Sequence, residues 1–135
     1  MTRIFFILLI SLCSCGKNTG TLPSYPPPGG YKVYHTSAHQ TIIRNMDAIH
    51  GLDVPSKVIG IGWDTRFIIA KQQLLTNRNH FPGDNYEVPV PGKYAFWILD
   101  TKDSVKRYGP LDEQKFTAKR KEIGVPVSLL LKNLD

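Results

Sequence analysis

Histidine and aspartate side chains come closest to a metal-binding pattern in this chain. His35 and His39 lie four residues apart, which on a helix would place both imidazoles on one face, and His50 and Asp53 follow nearby. Zinc sites use such ligands, three or four at a time. The residues around His35 favour a strand, where a four-residue spacing separates side chains by ~13 Å. We therefore predict loop or surface histidines, with no metal and no cofactor.

Covalent catalysis has no recognisable signature in this sequence. A Gly-x-Ser-x-Gly nucleophile elbow is absent, and no serine is predicted on a strand-to-helix turn beside a base. Gly60 and Gly62 do not form a phosphate-binding loop, because they lie inside a predicted strand and lack a third glycine. Carboxylates such as Asp47, Asp53 and Asp64 can meet only through the fold. We predict that the protein is not an enzyme and has no catalytic residue.

The first sixteen residues predict export. Arg3 supplies a positive charge, residues 4–10 are an unbroken apolar run, and small residues with Cys13 and Cys15 follow. This order is that of a secretory signal peptide. A bilayer-spanning helix needs roughly 20 apolar residues, so we expect the segment to be removed rather than to remain in the membrane.

The end of this segment, Leu12-Cys13-Ser14-Cys15, resembles the bacterial lipobox, whose last cysteine is diacylated before cleavage. The resemblance implies that residues 1–14 are the signal peptide and that Cys15 is the lipidated first residue of the mature chain. About three acyl chains would then hold the protein on its membrane. Gly16 rather than aspartate follows Cys15, which by similarity to enterobacterial lipoproteins implies the periplasmic side of the outer membrane. An ordinary signal peptide with incidental cysteines is the alternative.

The length and composition of the mature chain limit the number of its domains, its partners and its disulfides. Removal of residues 1–14 leaves 121 of the 135 residues, which is one domain of ordinary size. The formal net charge falls from +6 to +5 with the loss of Arg3, and the basic residues are scattered. This bias favours anionic lipid or acidic protein partners, and export argues against nucleic acid. Because both cysteines lie in the first fifteen residues, the folded domain has no disulfide.

The predicted elements begin after a tether. Residues 15–30 are rich in proline and glycine, and the prolines at 26–28 favour an extended backbone. Residues 31–135 form the single globular domain, with strands predicted at 31–36 and 41–45. Two β-forming arms, 58–63 and 66–72, flank Asp64-Thr65 and predict a tight hairpin in which Asp64 bonds its own backbone. Gly60 and Gly62 leave one face bare for a close neighbour.

The second half of the domain predicts a buried strand and a helix. Residues 75–92 are predicted to be mostly a long loop, with a brief extended piece at 86–88. Residues 93–100 are the most apolar strand, with Tyr94 and Trp97, like Trp63, packed inward. Residues 105–108 pair back and stop at Gly109-Pro110. A helix over 111–123 is capped by Asp112 and ended by Gly124, and 127–134 is a strand or a short helix.

Together these elements predict an α+β fold, an antiparallel, hairpin-rich sheet of about five strands with one C-terminal helix packed on it. The residues predicted to bind a protein partner lie in the long loop, and they are His80, Phe81, Asn85 and Tyr86. Loops carry function and interfaces are rich in aromatic side chains. Asp64 is a weaker candidate, because its role in the turn is favoured.

The hairpin at 58–72, the strand Phe96-Trp97-Ile98-Leu99-Asp100 and the segment 108–111 before the helix resemble a family of short bacterial lipoproteins of uncharacterised function, over most of residues 31–126. The resemblance supplies no catalytic residues. Similar lipid-anchored domains act as immunity proteins, which protect a bacterium from antibacterial toxins such as type VI secretion phospholipases. We expect a periplasm-facing lipoprotein of this kind. One alternative is an envelope structural or assembly adaptor. The other is a small hydrolase or metal binder that uses His35, His39, His50 and nearby aspartates.

Overall fold

A computed structural model describes residues 21–47, 52–78 and 82–134. In chain order its elements are β1 (Tyr31–Ser37), β2 (Gln40–Asn45), β3 (Val58–Trp63), β4 (Phe67–Asn77), β5 (Glu87–Asp100), β6 (Lys106–Leu111), α1 (Glu113–Ile123) and β7 (Lys132–Asn133). β1 and β2 form a two-stranded antiparallel sheet, and the other strands form a five-stranded antiparallel sheet in the order β6-β5-β4-β3-β7. The predicted α+β fold, one helix on an antiparallel sheet, is confirmed.

The large sheet is covered on both faces, which makes three layers. Residues 67–70 of β4 and 95–100 of β5 are buried at every position, because one face packs under the small sheet and the other under α1 and the chain that follows it. A strand buried on both faces is a continuous apolar run rather than an alternation. The first core contains Tyr31, Ile43, Val54, Val58, Ile61, Trp63, Ile68, Ala70, Trp97 and Leu99. The second contains Phe67, Ile69, Phe96, Ile98, Phe116 and Val125.

The turn between β3 and β4 is held by its own aspartate. Asp64 Oδ1 accepts from the backbone N–H groups of Arg66 at 2.8 Å and Phe67 at 2.6 Å, which confirms the predicted hairpin and its self-bonded turn. Arg66 also donates through Nε and Nη2 to the two carboxylate oxygens of Asp100, both at 2.8 Å. This bidentate hydrogen bond holds the pKa of Asp100 below its ordinary value and ties the turn to the end of β5.

The bare face of β3 is filled by the chain that follows the helix. A Cβ on Gly62 would overlap the carbonyl oxygen of Leu130, whereas a Cβ on Gly60 would find its nearest neighbour, Lys71 Cβ, at 3.5 Å. β7 pairs with β3 just beyond, with Gly60 opposite Asn133. The close approach predicted for this face is confirmed, and the approaching element is the C-terminal segment.

The helix begins at Glu113, two residues after the predicted start, and it ends at Ile123 as its sequence predicts. Asp112 accepts from the backbone N–H of Lys115 at 2.7 Å, and Gly124 ends the helix in the left-handed conformation with φ of 81°, which glycine adopts without steric cost. Phe116 is the buried residue of α1, and its ring stacks on Phe96 with 4.9 Å between centroids. This stack seats the helix on the second core.

Two expectations about strand ends were wrong, and both concern proline. β4 continues to Asn77 and β5 begins at Glu87, so the predicted loop over 75–92 shrinks to residues 78–86. β6 pairs with β5 only from Phe96 onward, so Pro89, which lies opposite Leu75 of β4, is on a stretch of β5 with one free edge, where strands tolerate proline. β6 is itself an edge strand, and Pro110 falls at its register irregularity between Tyr108 and Leu111, which also accommodates proline.

Tyr94 does not pack inward as predicted. Its side chain is 42% exposed, whereas Trp63 and Trp97 are buried as expected. The ammonium of Lys71 lies 4.3 Å from the centroid of the Tyr94 ring. Tyr94 belongs to neither core, and its ring is covered by a cation rather than by apolar side chains.

Residues 21–30, the described part of the predicted tether, lie against the domain. Leu22 packs on the first core, the indole N–H of Trp63 donates to the carbonyl oxygen of Tyr25 at 3.0 Å, and Asn45 Nδ2 donates to the carbonyl oxygen of Gly29 at 2.5 Å. The chain therefore reaches the domain beside Trp63, at the end of β3.

Candidate protein-binding site

The loop between β4 and β5 is closed by an ion pair. Arg78 donates from Nε and Nη2 to Asp84 Oδ2, at 2.9 and 2.7 Å. Asp84 Oδ1 accepts from the backbone N–H of Tyr86 at 2.9 Å, and Arg78 N–H donates to the carbonyl oxygen of Tyr86 at 2.8 Å. The backbone hydrogen bond from Tyr86, together with the Arg78 guanidinium, lowers the pKa of Asp84. The loop is thus fixed at its base by both side-chain and backbone contacts.

Tyr86 is an exposed aromatic side chain held by its neighbours. The guanidinium carbon of Arg78 lies 4.7 Å from the centroid of the Tyr86 ring, within the range of a cation–π contact. The imidazole of His39 approaches edge-on, with 6.2 Å between ring centroids and 71° between ring planes. Tyr86 nevertheless remains 49% exposed. A large amphipathic side chain is therefore both positioned and accessible.

The turn between β1 and β2 forms the other half of this surface. Gln40 Nε2 donates to Glu87 Oε2 at 3.3 Å, which links the small sheet to the start of β5. His39 Nδ1 is buried and has no hydrogen-bond partner among the described residues. His35, farther along β1, is bonded through Nδ1 to the hydroxyl of Thr41 at 2.6 Å. His39 and Tyr86 therefore meet although they come from distant parts of the chain.

The structure brings some of the predicted partner-binding residues together and separates another. Asn85 is exposed and adjoins Tyr86 in this loop. Asp64 lies at the opposite end of β4, whose 11 residues span ~33 Å. His80, Phe81 and the predicted lipidation site Cys15 lie outside the described residues. We call the surface formed by Arg78, Asp84, Asn85, Tyr86 and His39 the loop surface.

Three members of the loop surface were not predicted from the sequence to bind a partner. Arg78 and Asp84 carry opposite charges at the two ends of the loop, and this pairing is a signal that the sequence does contain. His39 was predicted to be a loop or surface histidine, with a metal ligand as the alternative. Its contact with Tyr86 depends on the packing of the small sheet against the large one, which no local pattern specifies.

A cleft of about 400 Å³ lies between the two sheets. Its charged residues are Arg44, Asp53 and Arg107. Arg44 Nε lies 2.7 Å from the Asp53 carboxylate, and Arg107 Nη1 donates to the backbone carbonyl oxygen of Asp53 at 2.9 Å. The hydroxyl of Ser56 donates to Gln40 Oε1 at 2.9 Å. An amide cannot deprotonate a serine, so this arrangement supplies no activated nucleophile.

Two further features of the described residues bear on function. Within 21–47, 52–78 and 82–134, no group of three or more histidine, cysteine, aspartate or glutamate side chains is arranged to hold a metal ion. The helix found in these ranges is also too short and too polar to cross a bilayer. His50, a member of the metal-site alternative, lies outside them.

The fold and this surface define a small three-layer α+β domain with an ion pair, Arg78 to Asp84, at one end of its sheet. The chain belongs to a family described as a protein of unknown function (DUF3997), whose sequence profile matches residues 28–135. No curated protein and no solved structure matches the chain. The match begins at Pro28, so it takes in both sheets, the helix and the loop surface.

Proposed function

We propose that this protein is a lipid-anchored, periplasm-facing lipoprotein of the bacterial outer membrane that acts by binding another protein. Its partner in this proposal is an antibacterial toxin, such as a phospholipase delivered by type VI secretion, which it neutralises as an immunity protein. The observation that carries the proposal is the exposed ring of Tyr86, held between Arg78 and His39.

A preordered tyrosine is what a binding surface needs. Tyrosine and arginine are enriched among the few residues that dominate the affinity of an interface. Ordering a side chain on binding costs ~0.5–1.5 kcal/mol, and the contacts of Arg78 and His39 order Tyr86 before a partner arrives. Half of its side chain remains accessible.

The proposed lipid anchor would hold the domain at the membrane. Acylation at Cys15 would keep the domain where an imported toxin must pass, and neutralisation by occlusion needs a surface and no catalysis. The cleft between the sheets supports this choice, because its arginines are already bonded to Asp53 and its serine to an amide.

The experiment is growth rescue followed by purification. The reading frame immediately upstream is expressed with export to the periplasm, alone and together with this protein. We expect toxicity that the full lipoprotein relieves, and a stable complex of the two purified proteins. An upstream product that is harmless, combined with envelope leakage on deletion of the lipoprotein gene, would instead identify an envelope adaptor.

The anchor is tested separately. Labelled palmitate is expected to incorporate into the wild-type chain and not into Cys15→Ser, and the Cys15→Ser protein is expected to leave the membrane fraction. Incorporation that persists in Cys15→Ser, or unchanged membrane association of that variant, would contradict lipidation at this residue.

A further inference from the structure

A turn after the helix exposes an apolar side chain that the fold does not use. Leu129 N–H donates to the carbonyl oxygen of Pro126 at 3.1 Å, which places Val127 and Ser128 at the tip. Arg120 fixes the turn by donating from Nη2 to the carbonyl oxygens of Pro126 at 2.8 Å and Leu129 at 2.6 Å. Val127 is 90% exposed. Tips of turns favour glycine, proline, asparagine, aspartate or serine, so a valine held there needs another explanation.

The surroundings of this turn are apolar and basic. Leu130 is 43% exposed. Lys121 lines a groove with Val127, and Lys132 lines a second hollow with Leu130. Among the described residues, no aspartate or glutamate lines either depression, and Glu122 nearby is paired with the Lys119 ammonium at 2.7 Å. Exposed apolar side chains flanked by lysines are typical of surfaces that contact anionic lipid.

The first described residues of the chain, from Thr21, lie beside the turn at Val127 and Ser128. Thr21 and Pro23 line the hollow that Ser128, Leu130 and Lys132 also line. Cys15 precedes Thr21 by six residues in the sequence, and six residues reach at most ~20 Å. A domain held by acyl chains on Cys15 therefore keeps the hollow, and the turn beside it, within that distance of the bilayer.

We infer that Val127 and Leu130 dock on the anionic phospholipid surface of the membrane that holds the lipid anchor, with Lys121 and Lys132 at the headgroups. This inference rests on the proposed lipidation of Cys15. Docking through this turn would also fix the orientation of the domain relative to the membrane. Gly62, which contacts Leu130, pairs with Ile69 on β4, and the loop surface follows Asn77 at the other end of that strand, ~26 Å away. The surface proposed to bind the toxin is then the end of the domain far from the membrane.

The test measures which side chains reach lipid. The mature chain has no cysteine besides Cys15, so one introduced thiol can carry an environment-sensitive fluorophore. Full-length, processed lipoprotein with Val127→Cys is placed in vesicles of phosphatidylethanolamine and phosphatidylglycerol in equal parts. We expect severalfold stronger quenching by spin-labelled lipid at this position than in a matched Asn85→Cys protein, since Asn85 is exposed on the loop surface. Both substituted side chains are exposed, so neither variant is expected to lose its fold.

The lysines are tested in the same assay. Lys121→Glu combined with Lys132→Glu is expected to lower the quenching at Val127→Cys to the value at Asn85→Cys, as is replacement of the vesicles by phosphatidylcholine alone. Palmitate incorporation is measured on each preparation. Acylated protein with equal quenching at both positions would overturn docking and leave the anchor standing, whereas absence of acylation would overturn both. Disulfide-linked dimers of the unlabelled Val127→Cys protein, together with no quenching of the labelled protein, would show that a second copy covers the turn and would overturn docking.

Discussion

The indole N–H of Trp97 donates to the side-chain oxygen of Gln72 at 2.8 Å, inside the core between the two sheets. Gln72 also donates from Nε2 to the carbonyl oxygen of Ser56 at 2.7 Å, so it bridges Trp97 and Ser56. The Ser56 hydroxyl donates to Gln40, and Gln40 donates to Glu87 beside the loop surface. Hydrogen bonds through Gln72, Ser56 and Gln40 therefore link the core to the edge of the candidate binding site.

Gln72→Leu is expected to lower the free energy of unfolding by about 1–3 kcal/mol, because it leaves the Trp97 N–H and the Ser56 carbonyl without their partner in a buried site. Urea unfolding followed by tryptophan fluorescence measures the change. Gln73→Leu is the matched control, since Gln73 Nε2 lies 3.5 Å from the Val90 carbonyl oxygen, and it is expected to change stability by less than ~0.5 kcal/mol. Equal losses in the two variants would count against the network.

Gly62→Ala is expected to destabilise the protein by about 1–3 kcal/mol, because the added methyl group overlaps the Leu130 carbonyl and displaces the C-terminal segment. Gly60→Ala is the control on the same strand. Its methyl group would meet Lys71 Cβ at 3.5 Å, an ordinary contact, and we expect a change within ~0.5 kcal/mol. Thermal unfolding compares the two, and a larger loss for Gly60→Ala would contradict the packing described here.

Local sequence signals were enough to predict the helix and the central hairpin. Asp112 and Gly124 mark the two ends of α1, and Asp64 marks the turn, because each acts on backbone groups within a few residues. The strands that contain Pro89 and Pro110 were misjudged for the opposite reason. A proline fits a strand when its side of the strand has no neighbour, and whether a neighbour is present depends on where distant strands begin to pair.

The candidate site was predictable to a similar extent. Loop composition pointed to Asn85 and Tyr86, which lie on the loop surface. It did not point to His39, whose position depends on how the small sheet packs, and it included Asp64, which lies at the other end of β4. The exposure of Tyr94 was not predicted because its strand is otherwise the most apolar in the chain. The residue pattern of a strand does not show how far the elements packed on it extend along its length.

Acid is expected to weaken the fold through Asp100. The Arg66 hydrogen bond lowers the pKa of this buried carboxyl in the folded state, so its contribution is fully present above the ordinary aspartate pKa of ~3.9 and is lost as the pH falls through the lower folded value. Asp100→Asn should lower Tm at neutral pH, and its difference from wild type should shrink below about pH 4. Asp47→Asn, at an exposed position, should leave Tm nearly unchanged at each pH. A constant difference for Asp100→Asn across the acid range would refute the linkage.

Tyr86→Ala is expected to weaken binding of the proposed toxin partner by about 30-fold or more, since truncating a dominant interface residue costs ~2 kcal/mol or more. Titration calorimetry with the purified partner gives the affinity, and an unchanged Tm shows that the fold is intact. Tyr94→Ala is a matched control, because Tyr94 is 42% exposed and also lies under a cation, Lys71. Equal losses of affinity in the two variants would show that the loop surface is not the interface.

Arg78→Lys separates the ordering of Tyr86 from its contact with a partner. Lysine keeps the charge but cannot present two N–H groups to Asp84 or stack a planar cation on the ring. We expect affinity to fall by about 3- to 10-fold, because ordering one side chain on binding costs ~0.5–1.5 kcal/mol, with Tyr86 still able to reach the partner. Arg107→Lys, whose guanidinium lies over Trp97 at 5.3 Å, is expected to bind as wild type does. A loss in Arg78→Lys as large as that in Tyr86→Ala would mean that Arg78 contacts the partner directly and does more than order Tyr86.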